Sequence, residues 1–313
     1  MTIKLSHMKK IILLLLVICS HGLMAQRDAL YYQYLFNYHV LNPAFSGSLE
    51  KMSAVLVNRN QWVGIKGAPH TLTFDLHTPI RNDKIALGFY IYSDRLGPWT
   101  NFGMISTYAY RVELDKGKLS FGLQMGFNQI DIDWDMILME HMDDYYLLTR
   151  PRPKILPDAN FGIYYYTDQY FIGISSKHLF DRAFSETGTE EGNNYSTLAR
   201  HFYSYLGGFI HLDKNLILKP SLLLKYVDKG VFCYDVNLQL MVRNLIWFGA
   251  SFRSNYNSFV LLTELRLSSK LKLGYSFDTY LGDVKAYNIG THEFKIAYEV
   301  DIYKRRSMFP VYF

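Results

Sequence analysis

The segment LSFGLQMGFN, residues 119–128, alternates strictly between large apolar side chains and small or polar ones. Leu119, Phe121 and Leu123 share one parity, whereas Ser120 and the glycines take the other. Because successive side chains of a β-strand point to opposite faces, this period of two predicts a strand with one wholly apolar face. Glycine on the second face would make room inside a barrel, so the segment indicates lipid on one side and a lumen on the other.

The same alternation recurs along almost the whole chain after residue 51. It predicts fourteen strands, an even number, near these positions: 51–59, 70–79, 84–93, 100–112, 117–130, 158–167, 169–178, 201–212, 215–226, 231–242, 245–254, 258–268, 270–281 and 288–302. Charged residues such as Glu264, Lys272, Glu293 and Lys295 avoid the apolar parity, where a lipid-facing lysine would cost about 2–4 kcal/mol at the bilayer midplane. Pro220 falls on that parity inside a strand, which predicts a bulge or a local kink.

The connections between the predicted strands alternate between two classes. Short turns carry turn-forming residues, as in Arg81-Asn82-Asp83. Longer or irregular loops lie between them, at 60–69, 94–99, 131–157, 179–200, 227–230, 255–257 and 282–287. Short turns on one rim and longer loops on the other are typical of outer-membrane barrels. We therefore predict an all-β fold, a transmembrane antiparallel β-barrel of about 14 strands in the cell outer membrane, with both termini on the periplasmic side.

The first residues are typical of an export signal and are not part of the predicted barrel. Lys9 and Lys10 precede the apolar run Ile11–Ile18, and Ala25 supplies a small residue at a cleavage point. The apolar run is too short to span a bilayer, which needs roughly 20 residues. We therefore predict a secretory signal peptide at residues 1–25.

The composition after removal of this signal excludes several partners and groups. Three lysines and no acid are lost, so 33 − 3 = 30 basic residues stand against 28 acidic ones, a net charge of +2. That balance does not favour nucleic-acid binding. Cys233 becomes the only cysteine, so neither an intramolecular disulfide nor a cysteine metal site can form. The histidines lack ligand spacing, and we predict no cofactor and no metal.

One acidic loop invites comparison with a calcium site. Asp131, Asp133 and Asp135 have the alternate spacing with which a calcium loop begins. Met136 stands where the sharp-turn glycine belongs, and Met142 stands where the bidentate glutamate belongs. The pattern therefore favours a solvated acidic loop.

The stretch before the first strand differs from the rest of the chain. QRDALYYQYLFNYHV, residues 26–40, is aromatic and shows no alternation, and the turn-rich LNPAFSG follows it. We interpret residues 26–50 as a lead-in that plugs the lumen or forms a docking segment, before the barrel at 51–302 and a C-terminal tail at 303–313. A simple periplasmic lead-in is the alternative. Because its aromatic side chains would otherwise expose a large apolar surface, we expect residues 26–47 to pack against the barrel.

Two motifs in this region make the sequence resemble the PorP/SprF family, outer-membrane proteins of the type IX secretion system in Bacteroidota. The first is Q-x-x-x-L-Y-Y-Q-Y followed by N-P-A-F-S-G at 42–47, and the second is R-N-Q-W-V-G-I-K-G-A-P-H-T at 59–71. The residues that match this signature, and that are candidates for docking, are Asn42, Pro43, Gly47, Arg59, Gln61, Trp62, Gly67 and Pro69. In this resemblance the second motif is the first outer loop, where Trp62 suits an interfacial or plugging position.

The resemblance implies a non-enzymatic part of a secretion machine, which docks periplasmic ring components, including lipoproteins, or a secreted cargo. Such a cargo would be an adhesin for gliding motility or another protein with a C-terminal signal. A passive or ligand-selective channel is the alternative, since fourteen strands also suit a barrel for hydrophobic substrates and the charged lumen could conduct solutes. An outer-membrane hydrolase is a third class, but the sequence has no G-x-S-x-G elbow and no visible nucleophile–base pair.

Overall fold

A computed structural model describes the following residues of the chain: 31–80, 83–137, 152–180, 199–228, 230, 232–254, 257–281 and 288–302. The predicted signal peptide, residues 26–30 of the lead-in, position 142 of the acidic loop and the tail at 303–313 lie outside this part. Within it, no helix has the length and apolar character needed to cross a membrane.

The described chain forms strand segments that are connected by turns and loops. In order they are β1 (Met52–Asn60), β2 (His70–Ile80), β3 (Ile85–Leu96), β4 (Trp99–Leu114), β5 (Gly117–Ile132), β6 (Lys154–Tyr166), β7 (Tyr170–Lys177), β8 (His201–Gly208), β9 (Ile210–Asp213), β10 (Leu216–Val227), β11 (Phe232–Val242), β12 (Ile246–Arg253), β13 (Ser258–Arg266), β14 (Leu271–Tyr280) and β15 (Thr291–Val300). Short 3-10 turns are η1 (Tyr32–Phe36), η2 (Tyr38–Val40), η3 (Pro43–Phe45) and η4 (Trp134–Met136).

These strands close into a single antiparallel barrel. Consecutive strands pair with one another, and β15 returns to pair with β1, where Arg59 lies opposite Glu293. β8 and β9 both pair with β10, so the segments occupy fourteen strand positions. The prediction of a fourteen-stranded barrel is confirmed. Closure satisfies the backbone N–H and C=O groups that an open sheet edge would leave unpaired in lipid.

The break between β8 and β9 falls at Phe209, and its cause lies across the ladder on β10. Ser221 pairs with Gly207 before the break, and pairing resumes at Leu218 after it. Pro220 lies between these two positions and has no N–H to donate. The predicted single segment 201–212 is therefore interrupted, in the way that a proline on this parity led us to expect.

The two faces of each strand meet different surroundings. On β11, Phe232 and Tyr234 are exposed while Cys233 and Asp235 are buried. The charged residues that avoided the apolar parity in the sequence are buried on the lumen side, namely Glu264, Lys272, Glu293 and Lys295. The exposed apolar band is the surface that lipid covers in an outer-membrane barrel.

The two rims differ as the sequence predicts, with corrections to one loop and to the start of one strand. β1 begins and β15 ends on the rim of short turns, which faces the periplasm in outer-membrane barrels. On the opposite rim, the predicted irregular loop 94–99 is only the two-residue turn Gly97-Pro98, because the β3–β4 ladder continues until Leu96 pairs with Trp99. The last strand begins at Thr291 and not at 288, since Gly290 takes a positive φ of 113° just before it.

Candidate functional site

Residues 31–49, called the plug here, fill the interior of the barrel. Every one of these residues is buried, and none of them is Asp, Glu, Lys or Arg. The plug is built from the three turns η1, η2 and η3. Asn42 begins the last of them, because its Oδ1 accepts the Ala44 N–H at 2.8 Å and Pro43 follows at the first turn position.

The plug runs through the lumen in the direction opposite to β1. Its first residue, Tyr31, lies near the rim of longer loops, beside a cavity of about 20 Å³ that Thr71 and Asn101 also line. The chain reaches the short-turn rim just after the plug, where Glu50 Oε1 accepts a 2.5 Å hydrogen bond from Lys118 Nζ. The described part of the lead-in therefore folds back inside the barrel before the first strand starts.

A carboxylate of β15 holds the start of the plug. Glu293 Oε2 accepts the N–H of Tyr32 at 2.8 Å and that of Gln33 at 3.2 Å, and Oε1 accepts Tyr32 N–H at 3.0 Å. The Tyr32 hydroxyl donates to Asp278 on β14. Because a 3-10 turn leaves its first N–H groups without intrahelical partners, an acid at this point satisfies them and fixes the turn.

A second carboxylate, Asp235 on β11, holds the same turn, η1, at Tyr34. It accepts a hydrogen bond from the Tyr34 hydroxyl at 3.2 Å. Lys225 at 2.7 Å and Arg253 at 3.3 Å pair with the same carboxylate. The Tyr34 side chain is thus held inside the lumen by a carboxylate that two buried cations flank.

Cations of the lumen wall face the aromatic rings of the plug. They are Arg59 and Arg253 over Tyr32, Lys219 over Tyr38, and Lys295 over Phe36, at 5.0, 4.7, 5.3 and 4.1 Å from the ring centres. Lys219 Nζ also donates to the Leu35 carbonyl at 3.0 Å. Away from water such cation–π contacts are worth about 2 kcal/mol, so a plug without Asp, Glu, Lys or Arg is bound by a charged wall.

The histidine of the plug, His39, connects three strands on the other side of the lumen. Its Nδ1 lies 2.5 Å from Asp75 Oδ2, and its Nε2 lies 2.9 Å from Thr107 Oγ1 and 3.5 Å from Gln124 Nε2. A methyl group added to Gly88 would lie 2.9 Å from the imidazole ring, so the wall is in close contact with it. The order carboxylate, imidazole, hydroxyl occurs in hydrolases. Here all three groups are buried, and the arrangement positions the plug.

The described part of the first signature motif, which contains Asn42, Pro43 and Gly47, lies in the lumen. Asn42 Nδ2 donates to the backbone carbonyls of Ile163 on β6 and Ile174 on β7, at 2.9 and 3.1 Å. Gly47 has φ +74°, a conformation that favours glycine, and an added Cβ would lie 2.5 Å from Ala86 Cβ. This motif therefore locks the plug to the wall.

The second signature motif is divided between the lumen and the rim. Arg59 is buried in the lumen, with Nη1 3.5 Å from Glu293 and Nη2 donating to Gln61 Oε1 at 3.1 Å. Gln61 N–H donates to the Pro69 carbonyl at 2.9 Å, which closes the loop 61–69.

Within this loop three residues have a positive φ, namely Trp62 at 51°, Gly64 at 106° and Gly67 at 76°. The Gly67 carbonyl accepts the Gly97 N–H at 2.9 Å, which joins the loop to the β3–β4 turn. Val63 exchanges backbone hydrogen bonds of 2.9 Å with Ile289 and Gly290 before β15. The loop therefore connects three neighbouring hairpins at the long-loop rim.

The alternation of the sequence identified the charged residues that face the lumen. It did not identify the groups that these residues bind. Asp235, Asp278 and Glu293 have partners in the plug, more than 200 positions earlier in the chain. The plug shows no periodicity that would place it against particular strands. The one available signal was composition, because aromatic residues without charge match a wall of cations and carboxylates. No group of three or more potential metal ligands occurs among the described residues.

Comparison with known proteins identifies one family. The family model described as "Type IX secretion system membrane protein PorP/SprF" matches residues 23–298. No protein with a curated description matches the sequence.

Several solved structures are similar to this chain. The outer membrane protein Omp33 of Acinetobacter baumannii shares 9% identity at a TM-score of 0.47, over 80% of this chain and 99% of Omp33. A FadL homologue of Pseudomonas aeruginosa shares 11% identity at a TM-score of 0.45, over 84% of this chain and 93% of the homologue. An E1M, A116K mutant of the Rh. blastica porin shares 6% identity at a TM-score of 0.33, over 80% of this chain and 99% of the porin.

Proposed function

The chain belongs to the PorP/SprF family and is an outer-membrane component of the type IX secretion system, and from this premise we propose that it is a non-enzymatic docking barrel. Its partners would be periplasmic ring proteins, a secreted cargo such as a gliding adhesin, or both. The observation that carries the proposal is the plug. A lumen filled by the chain's own buried residues suits a protein that binds others at its rims better than one that conducts solutes.

The rim of short turns supports docking of a periplasmic partner. Leu245 and Leu267 are each 52% exposed, on the adjacent turns β11–β12 and β13–β14. Arg266 N–H donates to the Leu245 carbonyl at 2.8 Å, so the two turns lie side by side. Arg243 and Lys270 are exposed next to these leucines. Exposed apolar groups flanked by cations suit a partner that offers an apolar patch with an acidic border.

The opposite rim supports docking of a cargo outside the cell. The loop 61–69 is held by hydrogen bonds to two neighbouring hairpins, so it presents its exposed residues on a fixed base. Ile65, 37% exposed, and Lys66 lie at its tip. A preorganised loop loses little conformational entropy when it binds a partner.

A pull-down tests the proposal. The full-length protein, tagged in the loop between β7 and β8, is purified from detergent-solubilised outer membranes, and its bound proteins are identified by mass spectrometry. Ring lipoproteins or a large secreted adhesin would support docking. A matched variant, Leu245→Asp with Leu267→Asp, should lose the ring proteins but keep an extracellular cargo. A partner-free barrel in both samples would contradict the proposal.

The second candidate, a channel, is favoured by one observation, the charged wall behind the plug. Lys272 pairs with Glu299, and Lys295 pairs with Glu264, both inside the lumen. If the plug left, these groups would line a polar path. Steady conductance of the purified full-length protein in a planar bilayer would favour the channel, whereas retention of cargo in the periplasm after gene deletion, with normal outer-membrane permeability, would favour docking.

A further inference from the structure

A groove interrupts the lipid-facing wall of the barrel, and strand register explains it. Across β6, β7, β8, β10 and β11 one row of outward side chains is aligned, consisting of Phe161, Ser176, Phe202, Tyr226 and Phe232. Ser176 is the small member of a row of four aromatic rings. It leaves a gap between the rings of Phe161 and Phe202.

The neighbouring row of outward side chains also has a gap, which lies on β8 and not on β7. It consists of Ile163, Ile174, Ser204, Leu224 and Tyr234. Ser204 is the small member here, between Ile174 and Leu224. Because the two serines lie diagonally on adjacent strands, their gaps join into one groove of about 430 Å³.

The lining of this groove differs from an ordinary apolar surface in one respect. Almost all of its lining is carbon, from Phe161, Phe202, Leu224 and Phe232 among others. The Ser176 hydroxyl oxygen, however, is buried and makes no hydrogen bond within the described structure. A buried hydroxyl without a partner is unfavourable, so a ligand that offers an acceptor at this point would gain affinity.

The groove lies in the half of the wall that is nearer the long loops. β7 ends at Lys177 and β8 begins at His201, one residue beyond the upper row. In an outer-membrane barrel this half is in contact with the outer leaflet. The groove is thus a recess in a surface that lipid already covers.

We propose that this groove binds one acyl chain of an outer-leaflet lipid, and that the Ser176 hydroxyl, which is covered in this rotamer, rotates towards the groove and donates a hydrogen bond to an acyl carbonyl of the same lipid. The apolar rings of the upper row flank the chain, and Ser204 leaves the space for it. Continuity with the lipid-covered wall argues for a lipid and against a second protein. Retention of one lipid here would also hold the adjoining ends of β7 and β8 in place.

Lipid binding to three variants tests this site. The full-length protein is delipidated in detergent, and native mass spectrometry counts bound dipalmitoylphosphatidylethanolamine. Ser204→Leu fills the groove. The matched control is Ser106→Leu, at an outward serine of β4 that lies between Phe89 and Met125. Ser176→Ala keeps the groove and removes only the hydroxyl.

We expect Ser204→Leu to weaken binding of the first lipid roughly tenfold, because a leucine displaces about two methylene groups of the chain. Ser106→Leu should bind the first lipid with the affinity of the wild type. The affinity of Ser176→Ala should lie between those of the wild type and Ser204→Leu. Heat-modifiable electrophoretic mobility shows that each variant is folded, and Ser204→Val is the replacement if the leucine variant is not. Equal lipid binding by the folded groove variant and by Ser106→Leu would overturn the proposal.

Discussion

The guanidinium carbon of Arg59 lies 5.0 Å from the centre of the Tyr32 ring, inside the barrel. Tyr32 belongs to the first signature motif and Arg59 to the second, so this contact joins the two halves of the family signature. Glu293 completes the arrangement, since it lies 3.5 Å from Arg59 Nη1 and accepts the Tyr32 N–H. The strand that carries the rim loop is thereby coupled to the plug.

The first prediction concerns this coupling. Arg59→Ala should lower the free energy of unfolding in detergent by about 3 kcal/mol, because it leaves the buried Glu293 carboxylate without its cation. The double variant Arg59→Ala, Glu293→Gln should recover part of that loss, since no uncompensated charge remains. Denaturant titration of the four proteins in the cycle measures both effects. Losses from Arg59→Ala and Glu293→Gln that simply add in the double variant would show that the pair is not coupled.

The second prediction is that the plug closes the lumen to ions. His39→Ala removes the contacts with Asp75 and Thr107 and leaves the carboxylate buried, at a cost of about 1–3 kcal/mol or more to the plugged state. We expect the wild type to show little conductance in planar bilayers and His39→Ala to show frequent openings. Lys116→Ala, in the β4–β5 turn and away from the plug, is the control and should stay closed. Steady conductance of the wild type would contradict the prediction that the plug closes the lumen.

The third prediction uses the close approach of the wall to the plug. A methyl group added to Gly162 would clash with the Asn42 Oδ1 atom, which caps η3. Gly162→Ala should therefore expose residues 31–49 to protease and reduce stability by about 1–3 kcal/mol. Gly208→Ala is the matched control, because its methyl group would meet only the Gln169 carbonyl oxygen, at 3.2 Å. Equal protease resistance of the two variants would show that the plug tolerates this displacement.

The fourth prediction concerns the rim loop 61–69. Gly67 has φ 76°, so Gly67→Ala should strain the loop by about 1 kcal/mol and loosen its hydrogen bond with Gly97. Within 4 Å, the added methyl group would meet only Gly97 and no residue of the plug, so conductance should not change. If the loop docks a cargo, the pull-down should recover less adhesin and an unchanged amount of ring protein. Unaltered recovery of both would remove the loop from the proposed docking surface.

The alternation of the sequence predicts which side chains face the lumen. It does not predict which residues of the plug those side chains bind. The alternation around Asp235 predicts a lumen-facing carboxylate, which the structure confirms. That this carboxylate accepts the Tyr34 hydroxyl was not predictable, because the plug lacks any period that would match it to a strand. Similarly, Ser176 and Ser204 are unremarkable in the sequence and form a groove only because register aligns them diagonally.

The sequence by itself determined the strands, their two faces, the class of barrel and the family. It could do so because period-two alternation and turn residues act over a few positions, and because lipid requires every backbone group to be paired. Only the tertiary structure decided that the lead-in runs back through the lumen and what holds it there. Tyr32 and Glu293 are 261 positions apart, and ring closure, which no local pattern encodes, brings them together.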